Sequence, residues 1–321
     1  MANLNRGARI GSYHIVDVLP GGQGGMAMVY RAAADQSQGE VALKISRLDQ
    51  SDPRFGNALK QEVDILKPLN HPGVVRVLPV QLSSTKRDVY LSRAVDVRNQ
   101  PWYYVMEYLL GGSLKSLIDD IGIMPFTVSC TIAVRLIDAL KYIHSRGIAH
   151  LDVKPANILF RYKHEPRALI DPVLIDFGIA ARTKKVVRPR GGSLHVMAPE
   201  HLQETRGVIP PEIPMDMEKM DIYSLGVVTY RMWTTRYPFE GITESSITSA
   251  ILRSDVRPPS EVNSQLPPQA DAFMMRWLAK DPQVRPDLDE LRRYMDFWSQ
   301  GMLHFPEMTK NKPSKMKFWK K

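Results

Sequence analysis

The feature that most constrains the fold is the division of this chain into a strand-rich front and a helix-rich back. The first hundred residues contain strand-like runs separated by turn residues, at 11–19, 28–33 and 41–45. After about residue 112 helical patterns dominate, with an apolar stripe over 131–145 and a segment apolar on nearly every face over 222–233. Such a division predicts an α+β chain of two lobes. We expect the hinge near 107–112, where a strand-like run meets two glycines.

Length and composition are those of a globular chain with room for two cores. The 321 residues are 44% hydrophobic and 24% charged. No uncharged apolar run reaches membrane-spanning length, and the first ten residues lack the apolar stretch of a signal peptide. The single cysteine, Cys130, lies in an apolar helical pattern and is expected in the core. Because one cysteine cannot form a disulfide within the chain, we expect a reducing, cytoplasmic setting.

Two basic segments carry part of the net charge of +9. Five Lys or Arg residues lie in 182–190, and six lysines lie in 310–321. Both segments are interpreted first as solvated surface. For the second, contact with an acidic lipid surface or with nucleic acid is the alternative, because two aromatic residues lie among the lysines. Two further segments, 81–100 and 162–172, are interpreted as insertions.

A glycine-rich turn precedes a strand that carries a lysine. The glycines of this turn are Gly22, Gly24 and Gly25. Glycine lets backbone amides approach phosphate oxygens, although such hairpins are common and the signal alone is weak. In the next strand Lys44 shares a face with the small Ala42, which leaves room for a flat ligand. The alternative is an edge-strand lysine turned to solvent.

The helical pattern that follows contains a carboxylate where an apolar residue is expected. Glu62 lies among the residues of the inner face, Leu59, Val63 and Leu66. A carboxylate on an apolar face is costly unless it is paired, and Lys44 is the obvious partner. Pairing would hold Lys44 extended toward phosphate oxygens.

The segment from His150 to Asn157 packs an acid, a base and an amide into eight residues, and Asp176-Phe177-Gly178 begins nineteen residues later. Phosphoryl transfer needs a base for the attacking hydroxyl, metal ions on the phosphates and a cation on the transferred group. Asp152 suits the first role and Lys154 the third. Asn157 and Asp176 supply the hard oxygen ligands that Mg²⁺ takes beside phosphate. A single aspartate is more often a cap or turn residue, but the joint spacing and order favour catalysis.

From about Tyr13 to Phe297 these motifs resemble the eukaryotic-type protein kinases. The resemblance implies a bilobal fold, with a small N-lobe of antiparallel sheet and one helix and a larger helical C-lobe. It implies ATP as cosubstrate, with Mg²⁺ or alternatively Mn²⁺, and it makes Asp152, Lys154 and Lys44 catalytic. The implied metal ligands are Asn157 and Asp176. The implied ATP-binding residues are Gly22, Gly24, Gly25, Val29, Ala42, Lys44, Glu62, Met106, Glu107, Leu109 and Asn157.

The resemblance extends to residues that are structural in this family. It implies that Glu200, at the end of the activation segment, pairs with Arg285, and that Asp221 braces the catalytic loop. Thr183 and Ser193 fall in the activation segment, with Ser193 facing the substrate. The lysine at position 154 is the serine/threonine form of the loop, and the run 24–31 is more similar to bacterial members than to animal ones.

Three positions depart from the family pattern. Leu151 stands where many members have an arginine that pairs with a phosphorylated activation-loop residue. We therefore expect activity that does not depend on phosphorylation of Thr183 or Ser193 in the usual manner. Ala27 replaces the third glycine of the phosphate loop, which is tolerable at negative φ, and Val196 replaces a frequent aromatic residue. None of these removes a catalytic atom.

The implied organisation is an ATP-binding N-lobe over 1–109, a C-lobe over 110–300 and a basic tail over 301–321. The expected function is transfer of the γ-phosphoryl group of ATP to Ser/Thr hydroxyls of protein substrates and of the chain itself. We expect a cytoplasmic protein, associated with a membrane through its tail or through regions outside this sequence. The tail is the candidate contact for an acidic surface or lipid, and nucleic acid is not favoured as a partner.

Three alternatives remain. A pseudokinase, which binds ATP without turnover, is disfavoured because Lys44, Asp152, Asn157 and Asp176 are all present. A small-molecule kinase is disfavoured because such proteins lack the 198–200 segment and its bracing residues. Binding of a lipid surface or nucleic acid through the basic tail is a separate function that can coexist with kinase activity.

Overall fold

The computed structural model describes residues 4–23, 27–35, 39–47, 52–81, 88–162, 171–183, 191–209 and 215–302. The described part of the N-lobe is an antiparallel sheet with one helix, α1, at Pro53–Leu66. The sheet order is β1-β2-β3-β4-β7-β5, with β6 also paired to β7. Its strands are β1 Arg9–Ile10, β2 Tyr13–Gln23, β3 Ala27–Ala34, β4 Glu40–Ser46, β5 Val77–Leu78, β6 Ser92–Arg93 and β7 Trp102–Glu107.

Strand β4 is hydrogen-bonded along both edges because it lies between β3 and β7, and a core covers each of its faces. Leu43 and Ile45 point into an upper core above the sheet, whereas Ala42 points into the main core below it. Lys44 lies on the same face as Ala42 and is buried, so the alternative of a solvent-facing edge lysine is wrong. Because side chains alternate along a strand, successive residues of β4 point into the two different cores.

Helix α1 begins where its sequence favours a start. The carboxylate of Asp52 accepts a hydrogen bond from the N–H of Arg54, and Pro53 occupies the first turn, where a missing N–H costs nothing. Its inner face carries Leu59, Val63 and Leu66, as expected. Glu62 lies on that same face and is 2% exposed.

The C-lobe is helical and is built around α5, which is buried along nearly its whole length. The helices are α2 Leu114–Ile121, α3 Phe126–His144, α4 Pro199–Thr205, α5 Met217–Thr234, α6 Glu244–Arg253, α7 Pro268–Trp277 and α8 Leu288–Ser299. Two short antiparallel pairs lie at the cleft: β9 Ile158–Phe160 with β10 Pro172–Leu174, and β8 Ile148–Ala149 with β11 Ala181–Arg182. Gly226 lets α5 approach α7, because a Cβ there would lie 2.9 Å from the Trp277 ring.

The expected two-lobed α+β fold is confirmed, and the helix boundaries differ in detail. The stripe predicted over 131–145 is α3, which starts earlier, at Phe126, and the helix predicted over 222–233 begins at Met217. Cys130 is fully buried, as expected. Across the described ranges no helix is both long and apolar enough to cross a membrane.

Several predictions fall wholly or partly outside the described residues. These are Gly24 and Gly25, residues 184–190 of the first basic segment, residues 163–170 of the second insertion and residues 303–321 of the tail. Of the first insertion, residues 88–100 are described and contain β6. Gly22 lies in β2.

Candidate active site

The inner wall of the cleft is a buried cluster of one cation and two carboxylates. The Nζ of Lys44 lies 2.7 Å from Oε1 and 2.8 Å from Oε2 of Glu62. The same nitrogen lies 2.8 Å from Oδ1 of Asp176. The side chains of Lys44 and Glu62 are 11% and 2% exposed, whereas that of Asp176 is 43% exposed. The pairing predicted from the position of Glu62 is therefore present, and Lys44 reaches the open side of the cleft.

Electrostatics favour the charged forms of Lys44 and Asp176, whereas burial raises the pKa of Glu62 above its ordinary value despite the nearby Lys44. Burial by itself lowers the pKa of Lys44, yet the charges of Glu62, Tyr104 and Asp176 and the hydrogen bond to Asp176 together outweigh it. The pKa of Lys44 is therefore raised well above its usual value. Burial raises the pKa of Asp176, but the charge and hydrogen bond of Lys44 hold it below the ordinary 3.8. Tyr104, paired in register with Lys44 on β7, is buried beside the pair, and burial raises the pKa of its phenol well above 10. A permanent cation thus faces the position where phosphates are expected.

The catalytic-loop residues form a connected hydrogen-bonded set around Asp152. The Nδ2 of Asn157 donates to Oδ2 of Asp152 at 2.9 Å and to its carbonyl at 3.0 Å. Lys154 Nζ donates to Oδ2 of Asp152 at 2.6 Å and to the Ser193 hydroxyl at 2.8 Å. The N–H of Ser193 donates to Oδ1 of Asp152 at 3.1 Å. An amide donor, a cation and a backbone N–H of the activation segment therefore meet at one carboxylate.

The loop itself is held in place by Asp221, which is fully buried in α5. Its carboxylate accepts hydrogen bonds from the N–H groups of His150 at 2.8 Å and Leu151 at 2.7 Å. The Nε2 of His144 lies 2.8 Å from the same carboxylate. Leu151 has φ of 66°, a conformation that costs a non-glycine residue about 1–3 kcal/mol unless its surroundings impose it. Asp221 supplies that constraint.

The two expected metal ligands flank the open side of this set. Asp176 has φ of 62° and uses Oδ1 for Lys44. Asn157 donates through its amide nitrogen to Asp152, which leaves its amide oxygen available. Phe177 packs its ring 4.6 Å from that of His150, which ties the segment around Asp176 to the catalytic loop. A carboxylate and an amide oxygen at a phosphate site match the ligands that Mg²⁺ prefers.

Small and apolar side chains lie on the sheet face that also carries Lys44. Ala42 pairs in register with Met106, and Val29 pairs with Lys44, so small and apolar side chains face the ligand space. Leu109 is buried at the beginning of the hinge. Ala27 lies in β3 and is not among the described residues with positive φ, so its methyl is accommodated without backbone strain.

The side chain of Glu107 makes two contacts that were not predicted from the sequence. Its carboxylate pairs with Arg161 and accepts a hydrogen bond from the N–H of Arg76 at 2.9 Å. Arg161 also donates to the carbonyl of Pro72 at 2.9 Å. The hinge is therefore tied to the segment that follows the catalytic loop.

A second buried ion pair braces the end of the activation segment. Arg285 Nη1 and Nη2 lie 2.6 Å and 2.8 Å from the two oxygens of Glu200. The expected pair is present, and the Arg285 side chain is fully buried. Thr183 lies elsewhere: its N–H donates to the carbonyl of Gly147 at 2.8 Å, while Ser193 alone of the two reaches the reaction centre.

Comparison with known proteins agrees with this geometry. The model of the protein kinase domain family matches residues 13–297. The chain belongs to this family. Serine/threonine-protein kinase PrkC of Bacillus subtilis is 30% identical over 290 residues, which cover 88% of this chain and 40% of that protein. Serine/threonine-protein kinase PknB of Mycobacterium leprae is 31% identical over 279 residues, covering 85% of this chain and 40% of PknB.

A probable serine/threonine-protein kinase of Clostridium perfringens is 30% identical over 273 residues, covering 82% of this chain and 35% of that protein. The chain thus spans about two fifths or less of the length of these relatives. Membership of the protein kinase domain family confirms the expected family and bilobal fold. The expected similarity to bacterial members is confirmed as well.

Proposed function

We propose that this kinase domain transfers the γ-phosphoryl group of ATP, with Mg²⁺, to Ser and Thr hydroxyls of protein substrates and of the chain itself. The observation that carries the proposal is the pair of hydrogen-bonded sets on the two sides of the cleft. One runs from Glu62 through Lys44 to Asp176, and the other runs from Asn157 through Asp152 to Lys154. Together they supply every group that phosphoryl transfer requires.

The roles of the residues follow from their positions. Lys44, held straight by Glu62, is placed to bind phosphate oxygens of ATP. Asn157 and Asp176 would hold Mg²⁺, which neutralises phosphate charge when it is bound. The substrate hydroxyl oxygen forms a bond to the γ-phosphorus while the bond to the bridging oxygen breaks, and ADP leaves. Asp152 orients this hydroxyl and accepts its proton.

Lys154 and Ser193 define the substrate side. Lys154 lies between the proposed base and the activation segment, 2.6 Å from Asp152, so it can neutralise charge on the transferred group. Ser193 donates its N–H to Asp152, which places the activation segment against the reaction centre. A serine or threonine at the end of a substrate segment would approach along this side.

Localisation and further contacts are part of the same proposal. The relatives are bacterial kinases, and one cysteine in 321 residues suits a reducing cytoplasm. The basic tail at 303–321 is the candidate contact with an acidic lipid surface. Removal of residues after 305 should leave phosphoryl transfer intact and reduce binding to anionic vesicles.

Labelled ATP with Mg²⁺ tests the proposed reaction. The wild-type chain is expected to incorporate label into itself and into a mixed Ser/Thr peptide pool, on serine and threonine. Lys44→Ala and Asp152→Asn should remove incorporation, whereas the exposed Asp120→Asn is a matched control that should retain it. ATP binding by the wild type without any label transfer would establish the pseudokinase instead.

A further inference from the structure

The connection between β5 and β7, of which residues 79–81 and 88–101 are described, contacts helix α1. The N–H of Val80 donates to the carbonyl of Val89 at 2.7 Å, so the returning chain lies beside the end of β5. Strand β6 then pairs with β7, with Arg93 opposite Trp102. Tyr90 packs against the core cluster that also contains the inner face of α1. The insertion predicted from sequence is therefore packed against the helix that carries Glu62.

At the first half of α1 the helix rests on an indole ring. A Cβ on Gly56 would lie 2.3 Å from Cδ1 of Trp102, so only glycine allows this approach. The N–H of Trp102 donates to the hydroxyl of Ser46 on β4 at 2.9 Å. The guanidinium carbon of Arg93 lies 4.5 Å from the Trp102 ring centroid, and Arg93 donates to the carbonyl of Gln100 at 3.2 Å. The sheet thus fixes the backbone of Trp102 through that main-chain N–H, and the insertion contacts its indole ring through Arg93.

At the other end of α1 the insertion makes a second contact. Lys67, the C-cap residue of the helix, places its Nζ 4.7 Å from the ring centroid of Tyr90. A cation over an aromatic face is a favourable contact, and positive charge also suits a helix C-terminus. The insertion and the start of β7 therefore contact both ends of α1. Glu62, which pairs with Lys44, lies between these two contacts.

We propose that residues 88–102 form a clamp that holds α1 where Glu62 pairs with Lys44, so that the catalytic arrangement needs no phosphate on the activation segment. The residue before the catalytic aspartate gives the second reason, because Leu151 is apolar and 4% exposed and cannot pair with a phosphate. Gly56, Trp102 and the insertion contacts are positioning residues, since none of them touches ATP or substrate. The inference rests on the kinase activity proposed above.

Gly56→Ala is the sharpest test because two effects of the methyl group oppose each other. Alanine is the better helix former, so an unclamped helix would become more stable and stay active. In a clamp the methyl pushes α1 away from Trp102, and we expect kcat/KM to fall about tenfold or more because Glu62 is displaced from Lys44. Asn57→Ala changes the neighbouring exposed position and is the matched control with unchanged kcat/KM. Full activity of folded Gly56→Ala would overturn the proposal.

A second substitution distinguishes displacement of α1 from a general loss of stability. Trp102→Leu removes the ring that the methyl strikes, so Gly56→Ala/Trp102→Leu should be more active than Gly56→Ala alone. Amide hydrogen exchange across α1 should rise in Gly56→Ala and fall again in the double variant, and this readout needs no turnover. Unchanged exchange in Gly56→Ala would count against the clamp even if the wild type proved inactive, which separates the two proposals.

Variants within the insertion test its contacts without changing α1 itself. Arg93→Ala and Tyr90→Leu each remove one contact, and together they should lower kcat/KM severalfold while the exposed Arg98→Ala leaves it unchanged. Phosphatase-treated wild-type chain should keep its rate within about threefold. A hundredfold loss after phosphatase treatment, restored by rephosphorylation, would show that a phosphate and not the insertion sets the position of α1.

Discussion

The two buried carboxylate–cation pairs, one in each lobe, are built in different ways. Arg285 is saturated: besides Glu200 it donates to the carbonyls of Ala279, Lys219 and Lys280. Lys44 has carboxylate partners and one face toward the cleft, where Asp176 is 43% exposed. In the Arg285–Glu200 pair every N–H of the guanidinium is hydrogen-bonded, and the arginine joins several segments of backbone. The Lys44–Glu62 pair keeps its cation oriented and able to exchange one partner for a ligand.

The buried pair in the C-lobe stabilises the structure, whereas the buried pair in the N-lobe orients a cation for the reaction. A buried pair contributes little net stability when its partners could be replaced by apolar residues, but it is costly to break. Arg285 also ties together three carbonyls, so its loss leaves several buried polar groups unpaired. Loss of Lys44 leaves Glu62 as a buried carboxylate that keeps its hydrogen bond with Tyr104 and can take up a proton. The two pairs should therefore fail in different ways when they are changed.

The largest expected effect is on catalysis, at Lys44. Lys44→Met should lower kcat/KM for peptide phosphorylation by about 10²–10³-fold or more, because the oriented cation at the phosphates is lost. Steady-state kinetics with labelled ATP measure this effect. A variant within tenfold of wild type would mean that Lys44 is only a structural partner of Glu62, like the arginine of the other pair.

The next effect is on stability, at Arg285. Arg285→Leu should lower the free energy of unfolding by about 3–5 kcal/mol, because Glu200 and three carbonyls lose their partner in a buried site. Urea titration followed by fluorescence gives the change, with Lys44→Met as the comparison. If Lys44→Met proved the more destabilising of the two, the contrast between the pairs would be wrong.

Replacing both members of each pair sharpens the contrast further. Lys44→Met/Glu62→Leu should regain most of the stability lost in Lys44→Met, because the buried Glu62 carboxylate is gone and only the partly exposed Asp176 remains charged, and it should stay inactive. Arg285→Leu/Glu200→Leu should recover little, since the carbonyls of Ala279, Lys219 and Lys280 stay unpaired. Equal recovery in both double variants would show that the backbone contacts of Arg285 contribute nothing.

The smallest effect is a pH dependence at Asp176. Its pKa lies below 3.8, so the unfolded chain binds more protons in the window between the folded pKa and 3.8. The stability from Asp176 is therefore present above about pH 4 and is lost as pH falls through the folded pKa. In Lys44→Met only His150 and Lys154 still oppose the effect of burial, so the pKa of Asp176 should rise, which NMR titration of the carboxyl carbon would detect. An unchanged pKa would mean that Lys44 does not hold this charge.

The sequence allowed prediction where one residue contradicts its local pattern. A glutamate on the apolar face of a helix needs a buried partner, and the Lys44–Glu62 pair followed from that rule alone. The catalytic loop and Asp176 followed from residue types at short spacing. These signals are local in the sequence, and the residues they identify make up the candidate reaction centre.

Other contacts were not predictable because they join residues far apart without a local pattern. Glu107 with Arg161, and Gly56 with Trp102, are of this kind. The positive φ of Leu151 also contradicts the local preference of a leucine. The hydrogen bond from its N–H to Asp221 of α5 imposes this conformation. The insertion was recognised as an extra segment, but nothing in its residues indicated that it would pack against α1.

The burial of Cys130 has a practical consequence for measuring the motion of helix α1. The thiol of Cys130, on α3, is fully buried. Burial raises its pKa, so it carries almost no reactive thiolate at neutral pH. A cysteine introduced at an exposed α1 position such as Asn57 would therefore be the one that takes up a maleimide probe. With a second introduced cysteine on the C-lobe, spin labels or a fluorophore pair could report interlobe distances without removal of the native thiol.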